Sequence, residues 1–517
     1  MNGWAAILGA ARAECARLDH ACRDPRRSQA ALLRKILADN AGTAFGRAHG
    51  FDRIASIEQF RAQVPVRDHD RLRPWIERVA SGQSGVLTSA PVIAFEETGG
   101  STSGRKLVPY TQASLAAFRA AVLPWLRDLA DERPGTFEGR AYVALSPVAR
   151  DASVTASGIP IGLPSEAAYL GADLAFAFAS VLAVPVEVAQ VRDVDHWRFL
   201  TLHHLLAAEN LTFISVWSPT FLSSLVEALP ALSEPLLKSL RDGRADPAHT
   251  RLIETALSRH PIDTPSIWPR LATVSAWADG ASRGYAQKLQ EMFPHAPLQP
   301  KGLLATEGAV TIPRQGSRHP APALTSAFLE FIDDDAEAFT CDELTEGASY
   351  RAVMTTPGGL YRYDLGDRLA CRGHINGVPR LEFIGRAVST DIVGEKLSED
   401  FVTAALDRVG TGACLAARAT QAPFYELLID AGPDENLAPK AALVDERLHA
   451  NPQYAYARAL GQLGPVKPRA VERLIDRYTR VQARRGCRLA DIKPPVLIND
   501  IAYAALIDAS PLGASPQ

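Results

Sequence analysis

The sequence TGGSTSGRKLVP, at residues 98–109, has the composition of a loop that binds phosphate. Its three glycines let the backbone amides turn toward an anion, and its hydroxyl groups add hydrogen-bond donors. Arg105 and Lys106 add positive charge. Extended segments are expected on both sides, at residues 92–95 and 107–110. The stretch therefore predicts a strand, a phosphate-binding loop and a second strand.

Two common motifs of similar composition do not fit these residues. A Walker P-loop needs a lysine directly after the glycine, then Ser or Thr, then a helix. Here Arg105 intervenes, Leu107 follows Lys106, and Pro109 opposes a helix. No serine lies at the centre of a G-x-S-x-G frame, which excludes a nucleophile elbow. Taken alone, such a run of Ser, Thr and Gly is more often an ordinary surface loop.

The composition indicates a soluble globular protein that acts on small molecules. A chain of 517 residues is too long for one hydrophobic core and predicts two or more domains. Hydrophobic residues make up 47% and charged residues 22%, as in ordinary globular proteins. The net charge of -3 and the pI near 6.5 give no basis for binding nucleic acid or an anionic membrane.

The cysteines and the amino terminus predict a cytoplasmic protein. No C-x-x-C pair occurs, so neither a disulfide framework nor a zinc site is indicated among the six scattered cysteines, Cys15, Cys22, Cys341, Cys371, Cys414 and Cys487. The apolar run at residues 4–11 lacks a preceding basic segment, which argues against a secretory signal peptide. No charge-free apolar stretch reaches about 18 residues, so a membrane-spanning helix is not expected.

The order of predicted elements indicates an α/β fold. Apolar positions at helical spacing over residues 4–38, interrupted near Asp24 and Pro25, predict two helices. Further along, strands are predicted at residues 211–217, 271–276 and 298–304. Turns and helices separate them, which is typical of a parallel sheet whose ligands lie at the carboxyl ends of the strands. Residues 277–280 and 306–308 would lie at those ends.

Two later segments carry further candidate site residues. Short strands over residues 327–383 predict an antiparallel unit. In its middle, Asp367 follows Gly366 in a predicted tight turn between two strands, where its carboxylate could accept both hydroxyls of a ribose. The remainder is predicted to be helical with a strand at residues 424–429, and Lys493 precedes two prolines that stiffen its loop. An ordinary turn and a solvated lysine are the alternatives.

In this order, the motifs resemble those of the adenylate-forming superfamily of acyl-CoA ligases and luciferases. Within it, the chain is most similar to the auxin-responsive acyl acid amido synthetases, in a form that resembles bacterial members. The resemblance covers roughly residues 20–500. The matching segments are ETGGSTSGRKLVPYT (97–111), SVWSPTFL (215–222), SAWADGAS (275–282), KGLLATEG (301–308), YRYDLGDRL (361–369), FIGR with GEKLSE (383–399) and IKPP (492–495).

This resemblance implies an ATP site built from separated segments. The phosphates would be bound by Ser101, Thr102, Ser103, Gly104 and Lys106. The adenine would lie against the turn formed by Asp279, Gly280 and Ala281. Tyr363 would pack beside the base, and Asp367 would hold the ribose.

The resemblance also implies the catalytic residues and the domain organisation. Thr306 would lie near the α-phosphate, and Glu307 would bind Mg²⁺ as a hard oxygen ligand. Lys493 would bridge the substrate carboxylate and the α-phosphate. Arg386 would mark the hinge between a large domain at residues 1–385, with parallel α/β layers and an antiparallel β unit, and a small mobile α+β domain at residues 386–517. Pro494 and Pro495 follow Lys493 where plant relatives have Thr-Pro-Arg.

The implied reaction is the ATP-dependent adenylation of a carboxylic acid, followed by transfer of the acyl group to an amine, expected to be an amino acid. The products would be an amide, AMP and pyrophosphate. One alternative transfers the acyl group to the thiol of coenzyme A, and another is a catalytically idle binding protein with the same fold. Tyr169, Phe176 and Trp217 would suit a pocket for an apolar or aromatic acid, or else belong to the core.

Overall fold

The computed structural model of the chain describes residues 3–98, 106–144, 153–163, 166–243, 246–386, 389–390, 392–393, 395–485, 487–498, 503 and 506. Of the predicted phosphate-binding residues, Ser101, Thr102, Ser103 and Gly104 lie outside the described residues. Lys106 and the strands on both sides of the glycine-rich loop are described.

The helices and strands are numbered here in chain order over the described residues. The α-helices are α1 (Gly3–Arg23), α2 (Pro25–Asn40), α3 (Ala44–Ala48), α4 (Ile57–Gln63), α5 (His69–Ala80), α6 (Gln112–Glu132), α7 (Ala172–Val181), α8 (Val194–Ala207), α9 (Pro219–Glu227), α10 (Leu229–Asp242), α11 (Pro247–Leu257), α12 (Thr264–Ile267), α13 (Arg283–Met292), α14 (Glu399–Ala405), α15 (Ala438–Leu448), α16 (Pro452–Ala459) and α17 (Leu474–Arg484). The strands are β1 (Ala94–Thr98), β2 (Lys106–Tyr110), β3 (Arg140–Val143), β4 (Ser153–Val154), β5 (Pro160–Ile161), β6 (Leu211–Ser215), β7 (Thr273–Ala276), β8 (Leu298–Pro300), β9 (Leu304–Ala305), β10 (Gly308–Ala309), β11 (Thr311–Ile312), β12 (Ala321–Pro322), β13 (Phe328–Ile332), β14 (Ala338–Phe339), β15 (Ser349–Thr355), β16 (Tyr363–Ile375), β17 (Val378–Arg386), β18 (Ser389–Thr390), β19 (Leu397–Ser398), β20 (Cys414–Arg418), β21 (Phe424–Ile429), β22 (Lys467–Ala470) and β23 (Leu497–Ile498).

The break between the first two helices lies where the sequence predicts it. The Asp24 side chain accepts a hydrogen bond from the backbone N–H of Arg27, and Pro25 occupies the first turn of α2. An aspartate cap followed by proline satisfies the amide groups that a helix leaves unpaired at its start. The apolar faces of α1 and α2 then contribute Ile7, Leu18 and Leu33 to the largest buried cluster.

A parallel sheet in the order β3, β6, β7, β8 confirms the predicted α/β layer. Its strands are shorter than predicted, because the chain leaves the sheet after Ser215 and again after Pro300. Side chains on one face join a buried cluster with α8 to α11 and α13. On the other face, Phe213 packs with Phe137 and with the cluster that contains α1 and α6. Burial on both faces explains the apolar character of these strands.

β1 and β2 pair as antiparallel neighbours on the two sides of the glycine-rich loop. Their register runs from Ala94 opposite Tyr110 to Thr98 opposite Lys106. β5 adds to β1 in parallel, and β4 completes this four-stranded sheet. The predicted arrangement of two strands joined by the glycine-rich stretch is thus confirmed for both strands.

The predicted antiparallel unit is a sheet in the order β14, β13, β15, β16, β17. One detail of the prediction is wrong: Gly366 and Asp367 do not form a turn between two strands but lie inside the continuous strand β16. The register passes from Arg351 opposite Arg368 to Val353 opposite Asp364, so β16 carries extra residues in a bulge. Gly366 adopts a φ of 71°, which a bulge tolerates best at glycine.

A buried ion pair fixes this sheet to the N-terminal helices. Glu330, 1% exposed on β13, accepts hydrogen bonds at 2.9 Å from Arg61 Nε and at 2.9 Å from Arg362 Nε. The Arg362 guanidinium also donates to the backbone carbonyls of Arg61 and Val64. The side chain of Glu330 therefore neutralises two cations next to the site-bearing strand β16.

Replacing Glu330 with alanine is expected to lower the free energy of unfolding by about 3–5 kcal/mol, because it leaves the buried Arg362 charge without its partner. Urea denaturation followed by circular dichroism measures the change. Asp39→Ala is the control, since Asp39 pairs with Lys35 at an exposed site, with side chains 55% and 72% exposed. The control should shift stability by about 0.5 kcal/mol or less. Equal effects of the two substitutions would contradict the assignment.

The C-terminal part has its own sheet and its own buried clusters. The sheet has the order β22, β21, β20, β23, and β21 occupies residues Phe424–Ile429 as predicted. Two buried clusters are drawn from residues 397–506 and are separate from those of the preceding segments. The fold is therefore mixed α/β with parallel and antiparallel sheets. Among the described helices, none has the length and hydropathy needed to cross a membrane.

Candidate functional site

A short hairpin brings two of the predicted motifs together. β9 and β10 pair so that Thr306 and Glu307 form the connection between them. The backbone carbonyl of Thr306 accepts a hydrogen bond from the Tyr110 hydroxyl at 2.6 Å. Tyr110 is the last residue of β2, the strand that leaves the glycine-rich loop. Thr306 and Glu307 therefore lie beside the exit strand of that loop.

Glu307 faces the bulged strand β16. The Tyr363 hydroxyl donates a hydrogen bond to Glu307 Oε1 at 3.2 Å. Burial raises the pKa of Glu307, and the nearby negative charge of Asp367 adds to this rise, while Arg386 and the Tyr363 hydroxyl oppose it. Burial and the carboxylate of Glu307 likewise raise the pKa of Tyr363. The structure thus brings the predicted residues Glu307, Tyr363 and Asp367 into one cluster.

Asp367 is held by a cross-strand ion pair. It is 1% exposed, and its Oδ1 accepts a hydrogen bond from Arg386 Nε at 3.0 Å. Asp367 and Arg386 are also direct partners in the register of β16 and β17. Arg386, which supplies the positive charge, is the last residue of β17.

Lys493 reaches this cluster from the far end of the sequence. Its Nζ lies 5.1 Å from the ring centroid of Trp277 and 5.5 Å from that of Phe383. Solvent reaches the side chain, yet the surrounding protein lowers the pKa of Lys493 by desolvation. The charges of Asp367, Glu399 and Glu307 oppose this lowering. Lys493 therefore lies in the electrostatic field of the same carboxylates.

The loop that carries Lys493 is anchored to the sheets on either side. Arg488 Nη2 lies 3.8 Å from Glu96 Oε2 on β1, the strand that enters the glycine-rich loop. The backbone carbonyl of Ala490 accepts a hydrogen bond from the N–H of Ser218 at 3.3 Å. These contacts hold the loop against β1 on one side and against the residues that follow β6 on the other.

The predicted adenine-binding turn packs against Phe383. Gly280 has a φ of 54°, and a Cβ at this position would come within 3.0 Å of the Phe383 ring. Asp279 precedes it, and burial together with the charge of Glu382 raises the pKa of Asp279 to about 6, against the opposing effect of Arg283. Ala281 follows in a short 3-10 helix, Gly280–Ser282. Phe383 thus connects this turn to Lys493.

The predicted lining of the acid pocket is partly wrong. Phe176 is 87% exposed on α7 and lines no interior surface. Tyr169 packs against Tyr110 and Phe118, with ring centroids 5.9 Å and 4.8 Å apart. Trp217 is half-buried, and its ring centroid lies 6.0 Å from that of Trp277. Trp217 and Tyr169 therefore lie next to residues of the site, and Phe176 does not.

A buried lysine that was not predicted as a site residue lies at the edge of the parallel sheet. Lys301 is 5% exposed, and its Nζ donates to Ser215 Oγ at 2.7 Å. It also lies 4.6 Å from the ring centroid of Trp125 and 5.1 Å from that of Trp217. Burial lowers the pKa of Lys301 to about 7. Its position inside the predicted strand at residues 298–304 was the available signal, because a lysine is rarely buried.

Two solved structures share the fold of this chain. A solved structure of the GH3.15 acyl acid amido synthetase superposes with a TM-score of 0.83, at 20% identity over 95% of each chain. A 2-hydroxyisobutyryl-CoA ligase in the postadenylation state has a TM-score of 0.53, at 14% identity over 93% of this chain and 90% of the other. The chain therefore has the fold found in adenylate-forming enzymes.

The chain belongs to the GH3 family. Residues 14–298 match the GH3 family N-terminal domain, and residues 321–386 match the GH3 family central domain. It is 27% identical over 465 residues to a probable indole-3-acetic acid-amido synthetase of Oryza sativa subsp. japonica, covering 74% of this chain and 73% of the relative. It is 25% identical over 414 residues to a jasmonoyl-L-amino acid synthetase of Nicotiana attenuata, covering 71% and 70%.

Proposed function

We propose that this protein is an ATP-dependent acyl acid amido synthetase. It activates a carboxylic acid as an acyl-adenylate and releases pyrophosphate. It then transfers the acyl group to the amine of an amino acid and releases AMP. The observation that carries the proposal is the convergence of Glu307, Tyr363, Asp367, Arg386 and Lys493 from four separate segments. The names of the relatives, which are amido synthetases, support the same reaction.

In this proposal the nucleotide lies between the glycine-rich loop and the antiparallel sheet. Ser101, Thr102, Ser103, Gly104 and Lys106 bind its phosphates. The base lies between the turn at residues 279–281 and Tyr363, and the ribose hydroxyls donate to the Asp367 carboxylate. Support comes from the contact of Tyr110 with Thr306, which sets the exit strand of the loop beside Glu307.

The substrate carboxylate attacks the α-phosphorus, a new oxygen–phosphorus bond forms, and pyrophosphate leaves. Lys493 neutralises the negative charge that develops on the α-phosphate. Thr306 lies near the same phosphate. Burial lowers the pKa of Lys493, and the charges of Asp367, Glu399 and Glu307 act against that lowering and so favour the charged ammonium that this role requires. Binding ATP and acid in aligned positions supplies much of the remaining acceleration.

Glu307 is proposed to bind Mg²⁺. Within the described residues, no group of three or more His, Cys, Asp or Glu side chains could enclose a metal ion. A single carboxylate, that of Glu307, fits Mg²⁺, because proteins usually hold this ion through one or two carboxylates with phosphate oxygens and water. When bound, the ion supplies positive charge to the phosphates; Glu307 orients it through the carboxylate that Tyr363 positions.

The second step needs access for the amine to the acyl-adenylate. We propose a large domain at residues 1–385 and a small domain at residues 386–517 that rotates about Arg386 and withdraws Lys493. The separate buried clusters of residues 397–506 support this division. A bacterial source is also proposed, from the resemblance of the motifs to those of bacterial members.

Exchange of labelled pyrophosphate into ATP, acid by acid, tests the proposed function. Acid-dependent exchange, followed by amide formation with added amino acids, is the expected result. A thioester with coenzyme A and no amide would favour the acid:thiol ligase instead. The absence of exchange across a broad panel of acids would favour a catalytically idle binding protein.

Replacing Asp367 with alanine is expected to raise the Kd of ATP by about 10- to 100-fold, because two hydroxyl groups lose a charged acceptor. Equilibrium binding of ATP measures the change. Asp334→Ala is the control, because Asp334 is an exposed carboxylate that pairs at 2.7 Å with Arg368, the residue that follows Asp367. An ATP titration of Asp367→Ala that matches the control would refute the ribose assignment.

A further inference from the structure

A row of polar side chains crosses the parallel sheet on one face. Ser215, Ser275 and Gln299 are partners in the register of β6, β7 and β8, so their side chains share a face. Lys301 lies two residues beyond Gln299 and returns to the same face, where it reaches Ser215. Gln299 Oε1 accepts a hydrogen bond from Trp125 Nε1 at 2.8 Å. The row is thus covered by α6.

Two side chains of this row, Lys301 and Ser275, lack, among the residues that the structure describes, a partner that buried polar groups ordinarily have. Within the described residues, no carboxylate forms an ion pair with Lys301, and desolvation is the one influence on its pKa. The Ser275 hydroxyl is fully buried and makes no hydrogen bond to any described residue. Buried charges are ordinarily paired, and buried hydroxyls are ordinarily hydrogen-bonded. Two such exceptions, one on β7 and one directly after β8, indicate an acceptor that a ligand supplies.

The position of Lys301 relates it to the proposed adenylation site. Lys301 lies at the carboxyl end of β8, the edge of a parallel sheet where ligands bind. Trp217 contacts Lys301, Trp277 contacts Lys493, and the two indole rings are 6.0 Å apart. An acid lying along these two indoles would present one end to Lys493 and the other to Lys301.

We infer that Lys301, Ser215 and Ser275 form a subsite for a second carboxylate, so that the preferred acids are dicarboxylic acids with an aromatic or aliphatic body. The inference rests on the proposed function, because it assigns the carboxyl group at Lys493 to activation. The carboxylate at Lys301 is not activated; it orients the acid. The two tryptophan rings, Trp217 and Trp277, contact its body.

The experiment compares matched acids on the wild type and on Lys301→Met. Hexanedioate is paired with hexanoate, and 3-(4-carboxyphenyl)propanoate with 3-phenylpropanoate, and kcat/KM is measured by pyrophosphate exchange. The wild type is expected to prefer each dicarboxylate by at least about 10-fold. Lys301→Met is expected to lose about 10- to 100-fold on the dicarboxylates through KM and to keep its rate on the monocarboxylates. Equal use of both acids by the wild type would overturn the inference.

Three further readouts keep the test decisive. Ser275→Ala removes an unpaired hydroxyl and is expected to fold normally, with a smaller loss of about 3- to 10-fold confined to dicarboxylates. Binding of each dicarboxylate is measured directly by tryptophan fluorescence, and binding without exchange would overturn the proposed function while supporting the subsite. A change in the KM of the amino acid, with the KM of the acid unchanged, would assign Lys301 to the amine and overturn the inference.

Discussion

Lys493→Ala is expected to lower the rate of adenylation by about 10²–10³-fold, because it removes a cation from the position where negative charge develops. The second step should change little, since Lys493 has no proposed role in it. Pyrophosphate exchange measures the first step. Amide formation from a supplied acyl-adenylate measures the second. The separation of the two effects distinguishes loss of a catalytic cation from general damage to the site.

Two companion variants test the position as well as the charge of Lys493. Lys440→Ala removes an exposed lysine that pairs with Glu435 at 2.9 Å and should leave both steps unchanged. Lys493→Arg keeps the charge but replaces a compact ammonium between Trp277 and Phe383 with a planar group, and partial activity is expected. If Lys493→Ala impairs both steps equally, the proposed role is wrong.

The sequence was sufficient for elements whose signal is local. A polar, glycine-rich run between two extended segments predicted β1 and β2, and both strands are present. Strand and helix alternation predicted the parallel sheet, because continuous apolar runs of that length fit strands buried on both faces. The break at Asp24 was predictable because capping is a property of neighbouring residues.

Features that depend on distant partners were not predictable in this way. The bulge around Gly366 and Asp367 was predicted as a turn, since glycine followed by aspartate is compatible with both, and the register against β15 decides between them. The environment of Lys301 is built by Trp125 and Trp217, from segments far away in the sequence. Local pattern gave only the position of Glu307 at the end of a predicted strand and of Lys493 in a stiff loop, and the roles proposed for both come from the family resemblance.

Glu307→Gln is expected to reduce adenylation by about 10²-fold or more, since it removes a negative charge and preserves the shape of the side chain. The variant should also need a higher concentration of MgCl₂ for half-maximal exchange. Because burial raises the pKa of Glu307, the wild type should lose activity on acidification at a pH above the ordinary range of a glutamate. That acid limb should be absent from the pH profile of Glu307→Gln.

Stability separates this prediction from a simple structural defect. A carboxylate with a raised pKa in the folded state favours folding most when it is protonated, and its ionisation at higher pH destabilises the fold. A neutral amide avoids that cost, so Glu307→Gln should be at least as stable as the wild type at pH 7 in urea denaturation. Its oxygen can still accept the hydrogen bond from Tyr363. An active, magnesium-responsive variant with an unchanged acid limb would exclude Glu307 as the carboxylate that binds the metal.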